Sequence, residues 1–154
     1  MAQSIRLFLE HANHITLPVS DTARLDAQVL AAHVLGKSRS WVLAHPEAIL
    51  TPEEEQRLDE MVNRLAHGEP LPYLLGRWEF YGLEFTITPD VLIPRPETEL
   101  LVEQAITWLR SRPAALLAAD VGTGSGCIAI SLAVHAPGLH VIASDISSPA
   151  LRVA

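Results

Sequence analysis

This sequence of 154 residues has a single cysteine and fewer basic than acidic residues. The one cysteine, Cys127, excludes an internal disulfide and a zinc site built from several cysteines, and it favours the reducing cytoplasm as the location. Eleven Lys and Arg stand against eighteen Asp and Glu, so the formal net charge is −7. This charge argues against a general attraction to nucleic-acid backbones.

Membrane, secretion and metal-binding patterns are missing as well. The opening stretch MAQSIRLFLEHANH is interrupted by Arg6 and Glu10 and predicts neither a secretion signal nor a membrane span. With 49% hydrophobic residues, the chain can form one compact domain or two small ones. The histidines lack the spacing of metal ligands, which favours solvated or packed side chains; they are His11, His14, His33, His45, His67, His135 and His140.

Up to about Gly76 the sequence has the periodicity of helices and predicts a small helical bundle. A first helix is expected over residues 5–12, and a second from a cap at Asp21 to Gly36. The buried stripe of the second helix would be Leu25, Val29, Ala32, Val34 and Leu35.

The stretch TPEEE predicts the start of a third helix. Thr51 is its N-cap, Pro52 is its first residue, and Glu54 completes a capping box. Its buried face, before Gly68, would be Leu58, Met61, Val62 and Leu65. In GEPLPYLLG, two prolines and a glycine then interrupt the helical period.

A hairpin and another helix are expected next. RWEFYGLEFTI has aromatic and β-branched runs on either side of Tyr81 and Gly82, which is typical of a β-hairpin. The prolines of TPDVLIPRPETE hold the chain extended as far as Pro96. The helix that follows carries Leu100, Leu101, Ile106 and Leu109.

From Ala114 the pattern changes to strand, glycine turn, helix and strand, in ALLAADV, GTGSG, CIAISLAVHA and LHVIASD. Near-continuous apolar strands predict parallel neighbours covered on both faces, as in a doubly wound sheet. Ser148 and Pro149 predict the cap and first residue of another helix, which would be cut at Ala154. We therefore expect residues after about Ala114 to be poorly stable alone, or the chain to be part of a longer polypeptide.

The glycine turn predicts a site for a nucleotide-type cofactor. Gly122, Gly124 and Gly126 follow a strand and precede a helix, where glycines let a ligand approach the backbone. The spacing is GxGxG, and Cys127 stands where a dinucleotide fingerprint would need its third glycine. No Lys-Ser or Lys-Thr pair follows, so the turn is not a P-loop either.

Asp145 ends the second predicted strand, where a carboxylate can accept both hydroxyls of a ribose. The loop and the acid together indicate an adenosine-containing ligand, and the glycine spacing favours S-adenosylmethionine. Two structural alternatives stay open. A lone GxGxG is often only a tight turn, and Asp145 could cap a helix or order a loop. Asp120 could likewise orient the loop backbone instead of touching a ligand.

Three stretches, PLPYLLGRWEFYGLEF, VLIPRPETELLVE and ADVGTGSGCIAISLA, resemble in this order the HemK family of protein glutamine N5-methyltransferases, which modify class I peptide chain release factors. The resemblance implies a helical bundle, a β-hairpin linker and a class I, Rossmann-like methyltransferase domain. It assigns Gly122, Thr123, Gly124, Ser125 and Gly126 to the S-adenosylmethionine loop. It also assigns Asp145 to the ribose.

The segment Arg95 to Glu99 matches the family signature IPRPETE, which is more specific than the glycine loop. Family position implies that it borders the cofactor pocket. The alternative is a structural role, because prolines fix the path of the chain and Glu97 and Glu99 suit a helix N-terminus.

The family's catalytic motif Asn-Pro-Pro-Tyr has no counterpart in this sequence, so no catalytic residue is assigned. An amide nitrogen is a poor nucleophile because its lone pair is delocalised. In the family, the asparagine of that motif and a backbone carbonyl accept hydrogen bonds from the glutamine NH2 and aim its nitrogen at the methyl group.

The sequence therefore predicts a truncated α/β protein with a substrate-docking bundle in residues 1–76, a hairpin linker in 77–95 and the first part of a methyltransferase domain in 96–154. The expected reaction is methylation of the glutamine of a Gly-Gly-Gln motif in a class I release factor, with S-adenosylmethionine as cofactor. No membrane or direct nucleic-acid partner is expected. The alternatives are a ribosomal-protein glutamine methyltransferase, an adenine N6-methyltransferase of the same fold, and a non-catalytic binding module.

Overall fold

A computed structural model describes residues 3–112 and 117–154 of the chain. The chain divides into two compact units, Met1–Leu75 and Gly76–Ala154. The first unit is helical in its described part, with α1 (Ile5–Thr16), α2 (Ala23–Leu35), α3 (Arg39–Ala44), α4 (Pro52–Ala66) and α5 (Leu71–Leu75).

The core of the first unit forms where helices α1 to α4 meet. Phe8, Leu30, Val42 and Leu58, one from each of these helices, have no exposed surface. Burial of large apolar side chains of this kind contributes about 1.5–3 kcal/mol each and holds the short helices together. The predicted helical bundle is confirmed.

Helix α4 follows its sequence signals closely. The Thr51 hydroxyl accepts the backbone N–H of Glu54, and the Glu54 carboxylate accepts the N–H of Thr51, so the capping box is formed with Pro52 in the first turn. The buried residues are the predicted Leu58, Met61, Val62 and Leu65. Local capping and helical periodicity are sufficient to fix this element.

The prediction for α2 is wrong at its start and at Leu25, whereas the predicted Ala32, Val34 and Leu35 are partly buried and pack against the core. The N-cap is Thr22 and not Asp21, while Gly36 ends the helix in the left-handed conformation as expected. Leu25 is 40% exposed, whereas Asp26 is buried because the hydroxyls of Ser20 and Thr22 donate to its carboxylate. The buried residues are Ala23, Asp26, Ala27, Leu30 and Ala31.

One helix is longer than predicted, and two helices were not predicted. Helix α1 continues to Thr16, whose hydroxyl donates to the carbonyl of Ala12. Helix α3 was not predicted, although Ser38 caps it by accepting the N–H of Trp41. Helix α5 forms inside GEPLPYLLG because Pro70 and Pro72 fall at its start, where a missing N–H costs little.

The second unit begins with the predicted hairpin. Strands β1 (Arg77–Phe80) and β2 (Leu83–Thr86) pair antiparallel with Phe80 opposite Leu83, so Tyr81 and Gly82 form the two-residue turn. Both turn residues have positive φ, 51° at Tyr81 and 73° at Gly82, which matches the twist of the paired strands.

Helix α6 (Pro96–Arg110) begins at Pro96 after the extended segment, as expected. It buries Val102 and Ile106. Leu100 and Leu101 are 58% and 56% exposed, so they are not part of the described core.

A parallel pair of strands completes the second unit, with β3 (Leu117–Val121), α7 (Cys127–His135), β4 (His140–Ser144) and α8 (Ser148–Val153). The start of the predicted strand, at 114–116, lies outside the described residues. Helix α7 packs on both strands. The expectation that both faces are covered is wrong for the described residues, since Leu117 and Val121 are 69% and 84% exposed. The cap of α8 is Ser147, one residue before the predicted position.

Candidate cofactor-binding site

The candidate site lies at the carboxyl ends of β3 and β4. Gly122, Gly124 and Gly126 form the turn from β3 into α7 with φ angles of 81°, 57° and 76°. Positive φ at three alternate positions strongly favours glycine at each of them. The predicted strand, glycine turn and helix are therefore present at this point of the chain.

Backbone hydrogen bonds fasten the turn to the neighbouring strand. The N–H groups of Gly122 and Thr123 both donate to the carbonyl of Ser144, at 2.7 and 2.9 Å. The N–H of Gly126 donates to the carbonyl of Thr123 at 2.8 Å. These N–H groups are occupied by protein acceptors and are not free to cradle a pyrophosphate.

Asp145 contacts the same turn from the end of β4. Its Oδ2 accepts the N–H of Gly124 at 2.9 Å, and its Oδ1 accepts the N–H of Ser147 at 2.9 Å. The N–H groups of Ser147 and Gly124 hold the pKa of the Asp145 carboxyl below its usual range. The ionised carboxylate is thus an acceptor, and each oxygen keeps a second lone pair for a hydroxyl.

Asp120 orders the loop by a side-chain contact. Its Oδ2 accepts the hydroxyl of Thr123 at 2.8 Å, and Thr123 is buried. Ser125 is buried as well, so both polar side chains of the turn lie inside the protein. The burial of these two side chains favours a role in ordering the turn. Sequence reasoning left Asp120 open, and its position two residues before the first glycine was the signal for it.

The space around the glycines differs from one to the next. A Cβ added at Gly122 or Gly124 would have no heavy atom within 4 Å, so open space adjoins the backbone there. A Cβ at Gly126 would lie 3.1 Å from Cδ1 of Ile130 and 3.3 Å from Cβ of Ala154. Gly122 and Gly124 thus leave room for a ligand, whereas Gly126 allows close packing at the start of α7.

Cys127 begins α7 directly after the turn and is buried. Burial raises the pKa of its thiol, which keeps the sulfur protonated. A protonated buried thiol acts as a small packing residue.

The segment Arg95–Glu99 contacts the hairpin through the side chain of Glu99. Oε1 of Glu99 accepts the N–H of Tyr81 at 2.9 Å. Arg95 is the N-cap of α6 and Pro96 its first residue, which agrees with a role in fixing the path of the chain. A role at the edge of a cofactor pocket stays a prediction.

Residues 3–112 and 117–154 contain neither a metal-binding cluster nor a membrane-spanning helix. No group of three or more His, Cys, Asp or Glu side chains there is arranged to hold a metal ion. None of the helices in the same residues has the length and hydropathy to cross a membrane.

Comparison with known proteins identifies sequences that are similar to this chain. Residues 3–76 match the family described as the PrmC N-terminal domain. A release factor glutamine methyltransferase of Bordetella pertussis is 52% identical over 131 residues, which are 85% of this chain and 48% of that protein. The enzyme of the same name from Koribacter versatilis is 45% identical over 141 residues, 92% of this chain and 50% of its own.

The chain is a relative of the release factor glutamine methyltransferases. The resemblance deduced from the sequence is confirmed, and so is the α/β fold class with a helical bundle, a hairpin and the first part of a methyltransferase domain. The chain spans about half the length of the curated relatives it matches.

A solved structure is also similar in sequence. The release factor-specific protein-(glutamine-N5) methyltransferase of Alicyclobacillus acidocaldarius is 52% identical to this chain. The match covers 45% of this chain and 42% of that one, with a TM-score of 0.33. A TM-score of this size supports no statement about the fold.

Proposed function

We propose that this chain belongs to an enzyme that methylates N5 of the glutamine in the Gly-Gly-Gln motif of class I peptide chain release factors. The relatives that cover most of the chain carry the name of this activity. The observation that carries the proposal is the hydrogen bond between Asp145 and Gly124. It brings the acid and the glycine turn together at the carboxyl ends of the two parallel strands.

The proposed cofactor is S-adenosylmethionine, bound by Gly122, Thr123, Gly124, Ser125, Gly126 and Asp145. An ionised Asp145 with free lone pairs fits the two hydroxyls of a ribose. The occupied N–H groups of the turn suit a ligand without a pyrophosphate better than a dinucleotide. The open space at Gly122 and Gly124 lets such a ligand lie against the backbone.

Bound S-adenosylmethionine would supply an electrophilic methyl group on a sulfonium. The residues of this chain would hold and orient the donor, because Asp145 fixes its sugar and the glycine turn sets its distance from the backbone. No catalytic residue is assigned among the 154 residues, and the groups that aim the glutamine nitrogen belong to a motif that this sequence does not contain.

We propose a different role for each part of the chain. We assign residues 1–76 to docking of the release factor, 77–95 to the hairpin linker and 96–154 to the start of the methyltransferase domain. The match of residues 3–76 to the PrmC N-terminal domain supports the first assignment. We place the reaction in the cytoplasm, since a chain with one cysteine has no need of oxidising conditions.

The test is mass spectrometry of a purified class I release factor after incubation with S-adenosylmethionine and the complete polypeptide that contains residues 1–154. One added methyl group on the Gly-Gly-Gln glutamine is expected. A release factor whose glutamine is replaced by alanine is the matched control and should gain nothing.

An active, folded enzyme that leaves the release factor unmodified would overturn the proposed acceptor. Methylation of a ribosomal protein or of adenine in the same assay would then identify one of the other acceptors. Binding of the release factor without any methyl transfer would instead indicate a binding module.

A further inference from the structure

Tyr81 has a backbone conformation that a tyrosine adopts only when its surroundings hold it there. Its φ is 51°, in the left-handed region, and among the described residues other than glycine no other φ is positive. This conformation is less favourable than an ordinary one for a residue with a Cβ. The pairing of β1 with β2 holds the turn, and contacts of Tyr81 with the rest of the second unit add to this support.

The first of these contacts is made by Glu99. Its Oε1 accepts the N–H of Tyr81 at 2.9 Å, eighteen residues along the chain and from the first turns of α6. Glu99 is half-buried, and a carboxylate is a stronger acceptor than a neutral group. The bond therefore ties the tip of the hairpin to the IPRPETE segment.

The second contact is made by the ring of Tyr81. It meets the ring of His135 edge-on, with 5.0 Å between centroids and 85° between planes. Nδ1 of His135 lies 2.9 Å from the carbonyl of Ser131 in the preceding helical turn. A carbonyl can only accept, so Nδ1 carries the hydrogen, and this bond fixes the ring that Tyr81 contacts.

His135 is the last residue of α7, and the glycine turn is at the other end of this short helix. The second strand of the hairpin also lies near α7, since Leu83 and Phe85 line one cavity of about 290 Å³ with Ser125, Ile130 and Val134. Helix α7 has nine residues, so a contact at its last residue lies only about 12 Å along the helix axis from its first residue.

We propose that Glu99 is a positioning residue, which holds Tyr81 against His135 so that the hairpin braces α7 and, through it, the glycine turn. This inference rests on the proposed function, because it takes the turn to bind S-adenosylmethionine. It gives the second glutamate of IPRPETE a specific task at a distance from the cofactor. The bond of Glu99 goes to the hairpin and not to the turn itself.

The test compares Glu99→Ala, which removes the acceptor, with Glu99→Gln, which keeps an oxygen in its place. Glu103→Ala is the matched control, since Glu103 lies one turn further along α6 with an exposed side chain. The complete polypeptide that contains residues 1–154 is used throughout. The measurements are the dissociation constant of S-adenosylmethionine by calorimetry, the melting temperature, and amide hydrogen exchange at Tyr81 and at residues 127–130.

Glu99→Ala should weaken S-adenosylmethionine binding about tenfold and speed exchange both at Tyr81 and at 127–130, because the lost bond involves a charged acceptor. Glu99→Gln should restore binding to within about twofold of wild type, since a neutral acceptor retains the geometry. Glu103→Ala should match wild type. His135→Ala removes the ring contact with Tyr81 and should also speed amide exchange at residues 127–130. This variant replaces Glu99→Ala in the test if Glu99→Ala does not fold.

A lower melting temperature of Glu99→Ala with unchanged binding and unchanged exchange at 127–130 would show a merely structural role and overturn the inference. Equal loss in Glu99→Gln and Glu99→Ala would also overturn it, because charge and not position would then matter. If the wild-type protein binds no S-adenosylmethionine, the proposed cofactor fails. The exchange at 127–130 still decides separately whether Glu99 braces α7.

Discussion

Asp145 Oδ2 accepts the backbone N–H of Gly124 at 2.9 Å, although the two residues are 21 positions apart in the sequence. The bond closes the glycine turn onto the end of β4, next to the bonds that Gly122 and Thr123 make to Ser144. The same carboxylate is the proposed partner of a ribose. One side chain thus orders the turn and offers acceptors to a ligand.

Replacement of Asp145 should separate these two tasks. Asp145→Asn keeps an acceptor oxygen but no charge, whereas Asp145→Ala loses both contacts. We expect S-adenosylmethionine to bind about tenfold more weakly to the asparagine variant and weaker still to the alanine variant. Calorimetric titration of the complete polypeptide measures this, with Asp21→Asn on the first unit as the control. Unchanged affinity in both Asp145 variants would remove Asp145 from the site.

Acid should weaken the second unit through Asp145. Backbone N–H groups of Ser147 and Gly124 hold its pKa below the usual range, so ionised Asp145 stabilises the fold at any pH above the ordinary aspartate pKa. This contribution is lost as the pH falls from that value through the lowered pKa. Urea unfolding from neutral pH into acid should show a steeper loss for wild type than for Asp145→Asn. Parallel curves would contradict the assignment.

Replacement of Gly124 and of Gly126 by alanine should lower the stability of the protein by different amounts. Gly124→Ala strains the backbone at φ 57° but meets no neighbour, so we expect a loss of about 1 kcal/mol in the free energy of unfolding. Gly126→Ala adds crowding against Ile130 to the strain, and its loss should be larger, about 2–3 kcal/mol.

Ligand affinity distinguishes the same two variants. The new methyl group at Gly124 would project into the space assigned to the cofactor, so S-adenosylmethionine binding should fall more than stability does. Urea unfolding and calorimetric titration on the same preparations give both quantities. Equal affinity in Gly124→Ala and wild type would place the ligand elsewhere.

The capping box of α4 gives a prediction for the first unit. Thr51→Ala removes the acceptor for the Glu54 N–H and should cost about 1 kcal/mol of stability. Thr51→Ser keeps the hydroxyl and should stay within a few tenths of wild type. Chemical denaturation of the two variants side by side checks this, and equal stability would show that the cap is dispensable.

Amide exchange should be uneven between the units. Strand β3 has exposed apolar residues at Leu117 and Val121, and β4 is its one partner strand among the described residues, so Leu117–Val121 should exchange quickly. Residues 58–65 of α4, packed in the bundle core, should exchange more slowly by orders of magnitude. Full protection of Leu117–Val121 in the 154-residue chain would refute the expected instability.

Much of the first unit could be predicted because its signals are local. In α4, a hydroxyl, a proline and a glutamate within four residues set the start, and the helical period sets the buried face. In α2 the same reasoning was wrong for Leu25, which was taken as buried, and it did not foresee that Asp26 is buried. The hydroxyls of Ser20 and Thr22 neutralise the cost of burying Asp26, and periodicity carries no information about such a contact.

The glycine turn and the hairpin were likewise predicted, because Gly122, Gly124, Gly126 and Gly82 occupy places where the backbone needs positive φ. The contacts of Tyr81 with Glu99 and His135 could not be predicted, since these two residues lie far along the chain.

By itself the sequence determined the helices with strong caps, the hairpin, the strand-turn-helix around the glycines and the resemblance to a methyltransferase family. Each of these depends on residues a few positions apart, where backbone geometry and hydrogen bonding are decided locally. Only the tertiary structure decided that Asp145 closes the glycine turn and that Glu99 holds Tyr81. Such bonds join residues from different elements, and their formation depends on how the packed core brings those elements together.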